Sequence, residues 1–306
     1  MILALAGTVA HYLGLFGKLG DAEVGQKVTI SNEERMTTES ELNDDIYNFM
    51  LVGVDSRNMY SYEGRSDSMI VISINKESKK MVMTSVLRDS YVSIPGHGNN
   101  KLNAAYALGG TSLLCDTIEA NYGIKVDNVA VVNFKTVADF VDAVGGVDIY
   151  ISAEERSHIN NNLGEQNRLF GYSAYKDTLS SATVGDVHLN GNQALAYARI
   201  RYIDTDFGRT KRQRTVLSAC MEKVQNLSVS ELNDLITQFL PKVHTDLSAG
   251  QILSMAPVFI QSKSYTIESI SIPENGTWSD YWTPSGQEAL AVDFEANKQY
   301  WESMVR

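Results

Sequence analysis

Residues 64–89 read GRSDSMIVISINKESKKMVMTSVLRD, and this stretch decides the fold. Two runs rich in β-branched residues and methionine, MIVISI and MVMTSVL, flank the polar turn NKESKK, a pattern typical of an antiparallel β-hairpin. Such a turn is expected to pair Ile74 with Met81. In that register Asp67 lies opposite Arg88 at the open end of the hairpin. The sequence therefore predicts a carboxylate beside a guanidinium at one edge of a sheet.

The strand pattern before the hairpin, FMLVGVD, ends at Asp55. If it runs antiparallel to the first hairpin strand, Asp55 lies on the same sheet edge as Arg65, Asp67 and Arg88. Solvated strand ends or ordinary ion pairs are the alternative for any one of these residues. Because like charges repel, removal of one carboxylate or one arginine from such a cluster is expected to be neutral or stabilising in the empty protein.

Strand and helix patterns alternate along the following chain, for example at 128–134, 135–144 and 147–151. That alternation is typical of α/β layering. The polar stretch 153–187 resembles a long loop of the kind that forms lids, and 285–304 favours a final helix. No internal repeat or Pro-rich linker divides the chain.

We therefore predict one domain over residues 47–306, preceded by a polar linker over residues 21–46. Residues 1–20, MILALAGTVAHYLGLFGKLG, are mostly apolar but contain His11 and Lys18. A membrane-spanning helix needs about 20 apolar residues. The segment is either the remnant of a membrane anchor or an amphipathic first helix.

The composition restricts the classes of partner. Of the 306 residues 43% are hydrophobic, and the net charge is -11. Nucleic-acid binding is disfavoured, since phosphate contacts require a basic surface, so any bound anion needs a local basic patch. The two cysteines, Cys115 and Cys220, have no zinc or redox spacing; buried free thiols and a single disulfide both stay open.

The basic patch is the stretch 198–214, ARIRYIDTDFGRTKRQR, which holds six of the 26 Lys and Arg residues. In an extended backbone Arg199 and Arg201 project to the same side. A helix that opens near Arg209 presents free N–H groups, which favour anions. Carboxylates beside arginines suggest Mg²⁺ together with a diphosphate, since Mg²⁺ combines one or two carboxylates with phosphate oxygens. A basic solvated helix face is the alternative.

These segments resemble the motifs of the LytR-CpsA-Psr family, and they occur in the family's order. The matching runs are LVGVDSR at 51–57, GRSDSMIVISI at 64–74, SVLRDSYVSIPG at 85–96, KLNAAYALGG at 101–110, and HLNGNQALAYARIRYIDTDFGRTKRQR at 188–214. One departure is Leu87, where the family commonly has proline before Arg-Asp. That change alters the backbone and leaves Arg88 in place.

The resemblance implies an α-β-α sandwich with a central mixed β-sheet. It also implies a Mg²⁺-dependent phosphotransferase that moves a phosphoglycan, of teichoic acid or capsular polysaccharide type, from a polyprenyl diphosphate carrier to peptidoglycan. The domain would be held by one N-terminal anchor at the extracytoplasmic face of a bacterial membrane. The lipid tail would need an apolar pocket between sheet and helices.

Site residues follow from the matching motifs. Metal ligands implied by the resemblance are Asp55 and Asp67. The residues implied to act in catalysis are Arg65, Asp67 and Arg88. Those implied to bind substrate are Arg65, Arg88, Lys101, Asn103, Arg199, Arg201, Arg209, Arg212 and Gln213, with Asp204 and Asp206 as further candidates.

Two rival functions use the same residues. A polyprenyl diphosphate pyrophosphatase would replace the glycan hydroxyl with water, and a lipid-diphosphate binding or regulatory module would perform no chemistry. Metal dependence separates an enzyme from a binding module. Product analysis with and without peptidoglycan separates a transferase from a hydrolase.

Overall fold

A computed structural model describes residues 25–29, 46–55, 61–201, 203–248, 251–252 and 264–306, with the side chains of Asp55 and Val229 left out of the description. The anchor segment at 1–20, most of the linker at 21–46 and most of a helix expected at 248–260 lie outside these residues. The domain boundary near residue 47 therefore stays a prediction.

A six-stranded mixed sheet, in the order β10-β3-β2-β1-β6-β9, forms the centre of the molecule. β1 is antiparallel to β2 and parallel to β6, β3 is antiparallel to β2 and parallel to β10, and β9 is antiparallel to β6. Its strands are β1 (Ile46–Asp55), β2 (Arg65–Asn75), β3 (Lys80–Val86), β6 (Asn128–Asn133), β9 (His244–Thr245) and β10 (Thr266–Ile272). The predicted hairpin is confirmed, since Ile74 pairs with Met81.

The β1–β2 ladder contains a β-bulge at Asp67. Gly53 pairs with Ser68, but the next residue, Val54, pairs with Ser66. Asp67 is thus the extra residue of β2, without a partner across the ladder. A bulge of this kind redirects a side chain from the regular alternation.

Helices cover both faces of the sheet. One face packs against α1 (Asn103–Tyr122) and α7 (Phe294–Val305), which contribute Ile118 and Trp301 to its core. The other face carries the remaining helices: α2 (Phe134–Ala143), α3 (Ala153–Phe170), α4 (Gly191–Ala198), α5 (Asp206–Gln225) and α6 (Val229–Phe239). The expected α-β-α sandwich with a central mixed sheet is confirmed.

Three small hairpins decorate these layers, and two of them replace expected elements. They are β4–β5 (Tyr91–Ile94 and Gly98–Lys101), β7–β8 (Val147–Ile151 and Gly185–Leu189) and β11–β12 (Trp278–Trp282 and Glu288–Val292). The polar stretch 153–187 is not one long loop, because it contains α3 and the start of β8. The final helix begins at Phe294 instead of 285, because β12 precedes it.

A capping box explains why a polar sequence forms α3. Ser152 Oγ accepts from the Glu155 N–H, and the Glu155 carboxylate accepts from the Ser152 N–H. These two bonds satisfy N–H groups that the first turn leaves free.

The structure also bears on disulfide formation and on membrane-spanning helices. Cys115 and Cys220 are buried thiols on opposite faces of the sheet, so they do not form a disulfide with each other. Within the described ranges, no helix combines the length and the hydrophobicity that crossing a bilayer requires.

Candidate active site

Three arginines meet at the Asp67 bulge. Arg88 Nη1 lies 2.8 Å from Asp67 Oδ1, and Arg201 Nη2 lies 3.3 Å from Asp67 Oδ2. Arg209, which is 3% exposed, donates through Nη2 to the Asp67 backbone oxygen at 3.2 Å. The predicted facing of Asp67 and Arg88 is confirmed. Residues from β2, the β3 end, the α4–α5 loop and α5 thus form one cluster, here called the arginine cluster.

Carboxylates separate the guanidiniums of the arginine cluster. Burial acts to raise the pKa of Asp67, but Arg88, Arg209 and Arg201 outweigh it and hold that pKa below its usual value. Burial likewise acts to lower the pKa of Arg88, yet Asp67 and Asp206 raise it. The charged forms of Asp67 and Arg88 therefore stabilise each other, and we now expect removal of either charge to be destabilising, contrary to the expectation from like-charge repulsion.

Asp206 closes the cluster from the first turn of α5. Its Oδ1 lies 2.9 Å from Arg209 Nη2 and 3.4 Å from Arg88 Nη2. Its Oδ2 is buried and has no hydrogen-bond partner. Burial raises the pKa of Asp206, against the opposing effect of Arg209 and Arg88. The cluster thus contains a buried acceptor that a ligand or cation can satisfy.

Lys101 and Asn103 lie beside Arg88. Lys101 Nζ forms an ion pair with Asp89 Oδ1 at 2.8 Å, and Asp89 Oδ2 lies 3.4 Å from Arg88 Nε. The Asn103 N–H donates to the Arg88 backbone oxygen at 3.2 Å, while Asn103 Oδ1 is buried without a partner. Asp89 is a member of this arrangement that the sequence pattern did not single out as a site residue.

Asp55 is the last residue of β1, and Arg65 is the first residue of β2, the strand that contains the bulge. Their backbones pair across the β1–β2 ladder, and the Arg65 side chain is exposed. Asp55 is thus two positions from the bulge on the same sheet edge, as predicted.

Arg199 departs from the predicted arrangement. It is the C-terminal cap of α4 with φ −94° and ψ 1°, so the backbone there is not extended and Arg199 does not project with Arg201. Its guanidinium carbon lies 4.7 Å from the centre of the Phe134 ring, and its Nη1 donates to Gln166 Oε1 at 3.3 Å. Arg199 therefore lies on the wall of an adjacent cavity.

That cavity, of about 370 Å³, lies between the sheet and the helices α2, α4, α5 and α6. Most of its wall is apolar, including Phe49, Leu51, Ile70, Phe140, Leu217 and Phe239. Its polar lining includes Ser68, next to the bulge, and Arg199 and Gln213. Gln213 Oε1 is buried and unpartnered. An apolar pocket between sheet and helices thus adjoins the arginine cluster, in the place the sequence suggested.

Arg212 and Asp204 do not join the cluster. Arg212 donates to both carboxylate oxygens of Asp204, at 2.9 and 2.6 Å, and lies 3.9 Å from Glu155 of α3. The structure thus gives Arg212 a carboxylate partner of its own, and its predicted contact with substrate stays a prediction.

Arg214 is buried without a compensating charge. Its Nε donates to Ser269 at 3.2 Å, its Nη1 has no partner, and no carboxylate among the described residues pairs with it. Burial lowers its pKa to about 10. A buried charge without a carboxylate is costly, so we expect the charge of Arg214 to lower the stability of the fold.

Arg214→Met is therefore expected to raise the free energy of unfolding by about 1–2 kcal/mol. Chemical denaturation at neutral pH measures this change. Lys211→Met on the exposed face of the same helix is the matched control, and we expect it to stay within about 0.5 kcal/mol of the parent. A loss of stability in Arg214→Met would show that its packing outweighs the cost of its charge.

Two oxygens in and beside the arginine cluster are of a kind that fits Mg²⁺. Asp206 Oδ2, a carboxylate oxygen, and Asn103 Oδ1, an amide oxygen, are buried and unpartnered, and Mg²⁺ prefers oxygen ligands. Among the described residues, no group of three or more His, Cys, Asp or Glu side chains forms a complete metal site.

Two relatives are similar to this chain over most of its length. The polyisoprenyl-teichoic acid–peptidoglycan teichoic acid transferase TagU of Enterococcus faecalis is 36% identical over 266 residues, which are 84% of this chain and 80% of the relative. The corresponding transferase TagT of Bacillus subtilis is 30% identical over 280 residues, covering 89% and 81%.

A solved structure of TagT with bound octaprenyl pyrophosphate matches with a TM-score of 0.67 at 27% identity, over 91% of this chain and 99% of that one. Residues 15–299 match the sequence profile of the LytR_cpsA_psr family. Profile, relatives and structure all indicate the family that the sequence motifs resemble. This chain belongs to the LytR_cpsA_psr family.

Proposed function

We propose that this protein transfers a phosphoglycan, of teichoic acid or capsular polysaccharide type, from a polyprenyl diphosphate carrier to peptidoglycan. The observation that carries the proposal is the apolar cavity of about 370 Å³ whose polar lining adjoins the arginine cluster. A ligand with a long apolar tail and a compact polyanionic head matches both parts. The curated relatives carry names of teichoic acid transferases, and the TagT structure holds a lipid of this chemistry.

The arrangement suits phosphoryl transfer. An acceptor hydroxyl oxygen attacks the phosphorus that bears the glycan, the P–O bond to the bridging oxygen breaks, and polyprenyl phosphate leaves with the bond's electron pair. The hydroxyl proton is released, and a phosphodiester joins glycan and acceptor. Arg88, Arg201 and Arg209 stabilise the charge on the phosphate oxygens, since guanidinium forks match phosphate geometry and are already held in place by Asp67 and Asp206.

Magnesium is part of the proposal. Asp55 and Asp67 would hold Mg²⁺ together with the diphosphate, and the bound ion would supply neutralisation of the leaving phosphate. The support is the unpartnered carboxylate oxygen of Asp206 in the arginine cluster and the backbone position of Asp55, which pairs with Arg65 two residues from Asp67. Arg65, Lys101, Asn103, Arg199 and Gln213 would complete the grip on the diphosphate or its surroundings.

The Asp67→Asn variant tests the metal role. We expect at least a tenfold loss of transfer and a weakened response to Mg²⁺, because an amide is a poorer ligand for a hard cation. The unfolding temperature should also fall, since Asp67 neutralises Arg88 and Arg201. Mg²⁺ titrations of activity and of thermal unfolding measure both effects.

Asp148→Asn is the control for that experiment. Asp148, on the exposed β7–β8 hairpin, forms an ion pair with Lys223 of α5 and a hydrogen bond with His188. We expect parental Mg²⁺ dependence in this variant. The same dependence in Asp67→Asn would remove Asp67 from the metal site.

The proposal includes a location. A lipid-linked donor and a peptidoglycan acceptor meet outside the membrane, so we propose the extracytoplasmic face, with residues 1–20 as part of an N-terminal anchor. Protease added to intact cells tests this location. An extracytoplasmic domain should be digested, whereas a cytoplasmic one should be protected.

Product analysis tests the reaction itself. Purified protein, a short polyprenyl diphosphate-linked glycan and peptidoglycan fragments should yield glycan phosphate attached to the peptidoglycan, with release of polyprenyl phosphate. Free glycan phosphate formed at the same rate without peptidoglycan would instead indicate a pyrophosphatase. Tight lipid binding without turnover would indicate a binding module.

A further inference from the structure

Arg199 is held from behind by a buried amide. Its Nη1 donates to Oε1 of Gln166, which lies on α3 and is 0% exposed. The ring of Phe134 covers the same guanidinium. Burial of an amide is costly unless its hydrogen bonds are made. The buried Gln166 amide beside this cavity-lining arginine is therefore expected to have partners for its hydrogen bonds.

Asn192 of α4 sets the orientation of the Gln166 amide. Gln166 Nε2 donates to the Asn192 backbone oxygen at 2.8 Å and to its Oδ1 at 2.6 Å. These two bonds use both hydrogens of the amide nitrogen. A flipped amide would place its oxygen against two acceptors, so Oε1 keeps facing Arg199.

Asn192 is fixed in the same manner. Its Nδ2 donates to Asn167 Oδ1 and to Asp177 Oδ2, each at 2.9 Å. Asn167 in turn donates to backbone oxygens of the loop after α3, including that of Lys176 at 2.8 Å. Every member of the chain from this loop to Arg199 thus has a defined direction, and a satisfied buried network of this kind is rigid.

We propose that Gln166 and Asn192 are positioning residues that aim the Arg199 guanidinium at the diphosphate of the lipid carrier. An arginine that is already held in one direction loses less conformational freedom when it binds an anion, so the affinity rises without a new contact. Gln166 does not touch the substrate and acts through Arg199. This inference rests on the proposed function, since it needs the diphosphate as the anion.

The test compares three variants with the parent protein. Gln166→Met keeps the length of the side chain and removes the hydrogen bond to Arg199. Asn192→Ala removes the side-chain acceptor that orients Gln166 and leaves the backbone one. Asn162→Leu is the matched control: Asn162 lies one turn earlier on α3 and donates to the Ala196 backbone oxygen of α4 at 2.9 Å, without reaching Arg199.

The first readout is the dissociation constant for octaprenyl diphosphate. We expect Gln166→Met to weaken binding about five- to tenfold, because a hydrogen bond to a charged group is lost. Asn192→Ala should give a smaller loss in the same direction, and Asn162→Leu should bind as the parent does. In the transfer reaction KM should rise by the same factor while kcat stays within about twofold, as expected for lost binding alone.

A double-mutant cycle separates positioning from a general structural role. In an Arg199→Ala background, Gln166→Met should have no further effect on affinity, since the residue through which it acts is gone. If the effect persists there at full size, or equals that of Asn162→Leu, the positioning role is overturned and the proposed function stands. Absence of octaprenyl diphosphate binding in the parent would overturn the proposed function and this inference together.

Discussion

Replacing Arg88 with alanine is expected to cost both activity and stability. Arg88 contacts Asp67 at 2.8 Å and Asp206 at 3.4 Å, and its side chain is 19% exposed. Its loss leaves two carboxylates close together without the cation between them, and removing one partner of a buried ion pair costs about 3 kcal/mol. Loss of a charge-assisted bond to phosphate should weaken lipid-diphosphate binding about ten- to a hundredfold.

Transfer should fall further than binding in this variant, because Arg88 also stabilises charge that develops in the transition state. Arg88→Lys should restore part of the stability and little of the activity, since an ammonium cannot form the planar fork. Arg168→Ala, an exposed arginine on α3, is the control. Parental transfer by Arg88→Ala would remove Arg88 from the reaction.

Filling the apolar cavity is expected to change the preference for lipid length. Leu217 lines the cavity from α5 and Ala130 lines it from β6. The double variant Leu217→Trp, Ala130→Phe should lose affinity for octaprenyl diphosphate and retain affinity for geranyl diphosphate. Each buried methylene contributes about 0.8 kcal/mol, so exclusion of one five-carbon isoprene unit corresponds to about 4 kcal/mol, or roughly a thousandfold weaker binding.

Competition binding with the two lipids measures this shift. Leu108→Trp, at an exposed position of α1, is the control for an added indole. Overpacking can itself destabilise a protein by about 1–3 kcal/mol. Unfolding curves of the double variant should therefore be compared with those of the parent, to separate a loss of stability from a loss of lipid binding. Equal loss for both lipids would show that the tail binds elsewhere.

The sequence predicted the hairpin and the Asp67–Arg88 contact because both are local. A short polar turn and β-branched strands determine the register, and the register places the two side chains. Leu87 stabilises the end of β3 that leads to Arg88, because its N–H donates to the Ile272 backbone oxygen at 2.9 Å.

The carboxylates around Arg212 were harder to predict, because one of them lies on a helix that the sequence pattern did not reveal. Helix α3 buries Gln166 and Asn167 along with its apolar residues, so its hydrophobic periodicity is weak and the segment resembles a loop. Glu155 of that helix is one of the carboxylates beside Arg212. The missed helix hid this more distant carboxylate, whereas the bonded partner of Arg212, Asp204, lies in the loop just before α5. The capping signal of Ser152 and Glu155 was the clue available in the sequence.

The cavity and the fate of Arg199 depend on contacts between distant segments. Cavity walls come from β1, β2, β6 and four helices, and no local pattern encodes the space they leave. Arg199 is the C-terminal cap of α4, so its backbone is not extended. Its side chain therefore does not point the same way as that of Arg201, although the two residues are only two positions apart in the sequence.

The irregular β1–β2 ladder limits how this protein can change in length. In an unbroken ladder that continued the pairing of Gly53 with Ser68, Asp67 would face Val54, whose side chain is 1% exposed in the hydrophobic core. Deleting Ser66 would thus regularise the strand and at the same time direct the Asp67 carboxylate into the hydrophobic core. A shortening that looks harmless in an alignment would be selected against, whereas an extra residue in the turn at 76–79 would leave every side chain of the site on its present face.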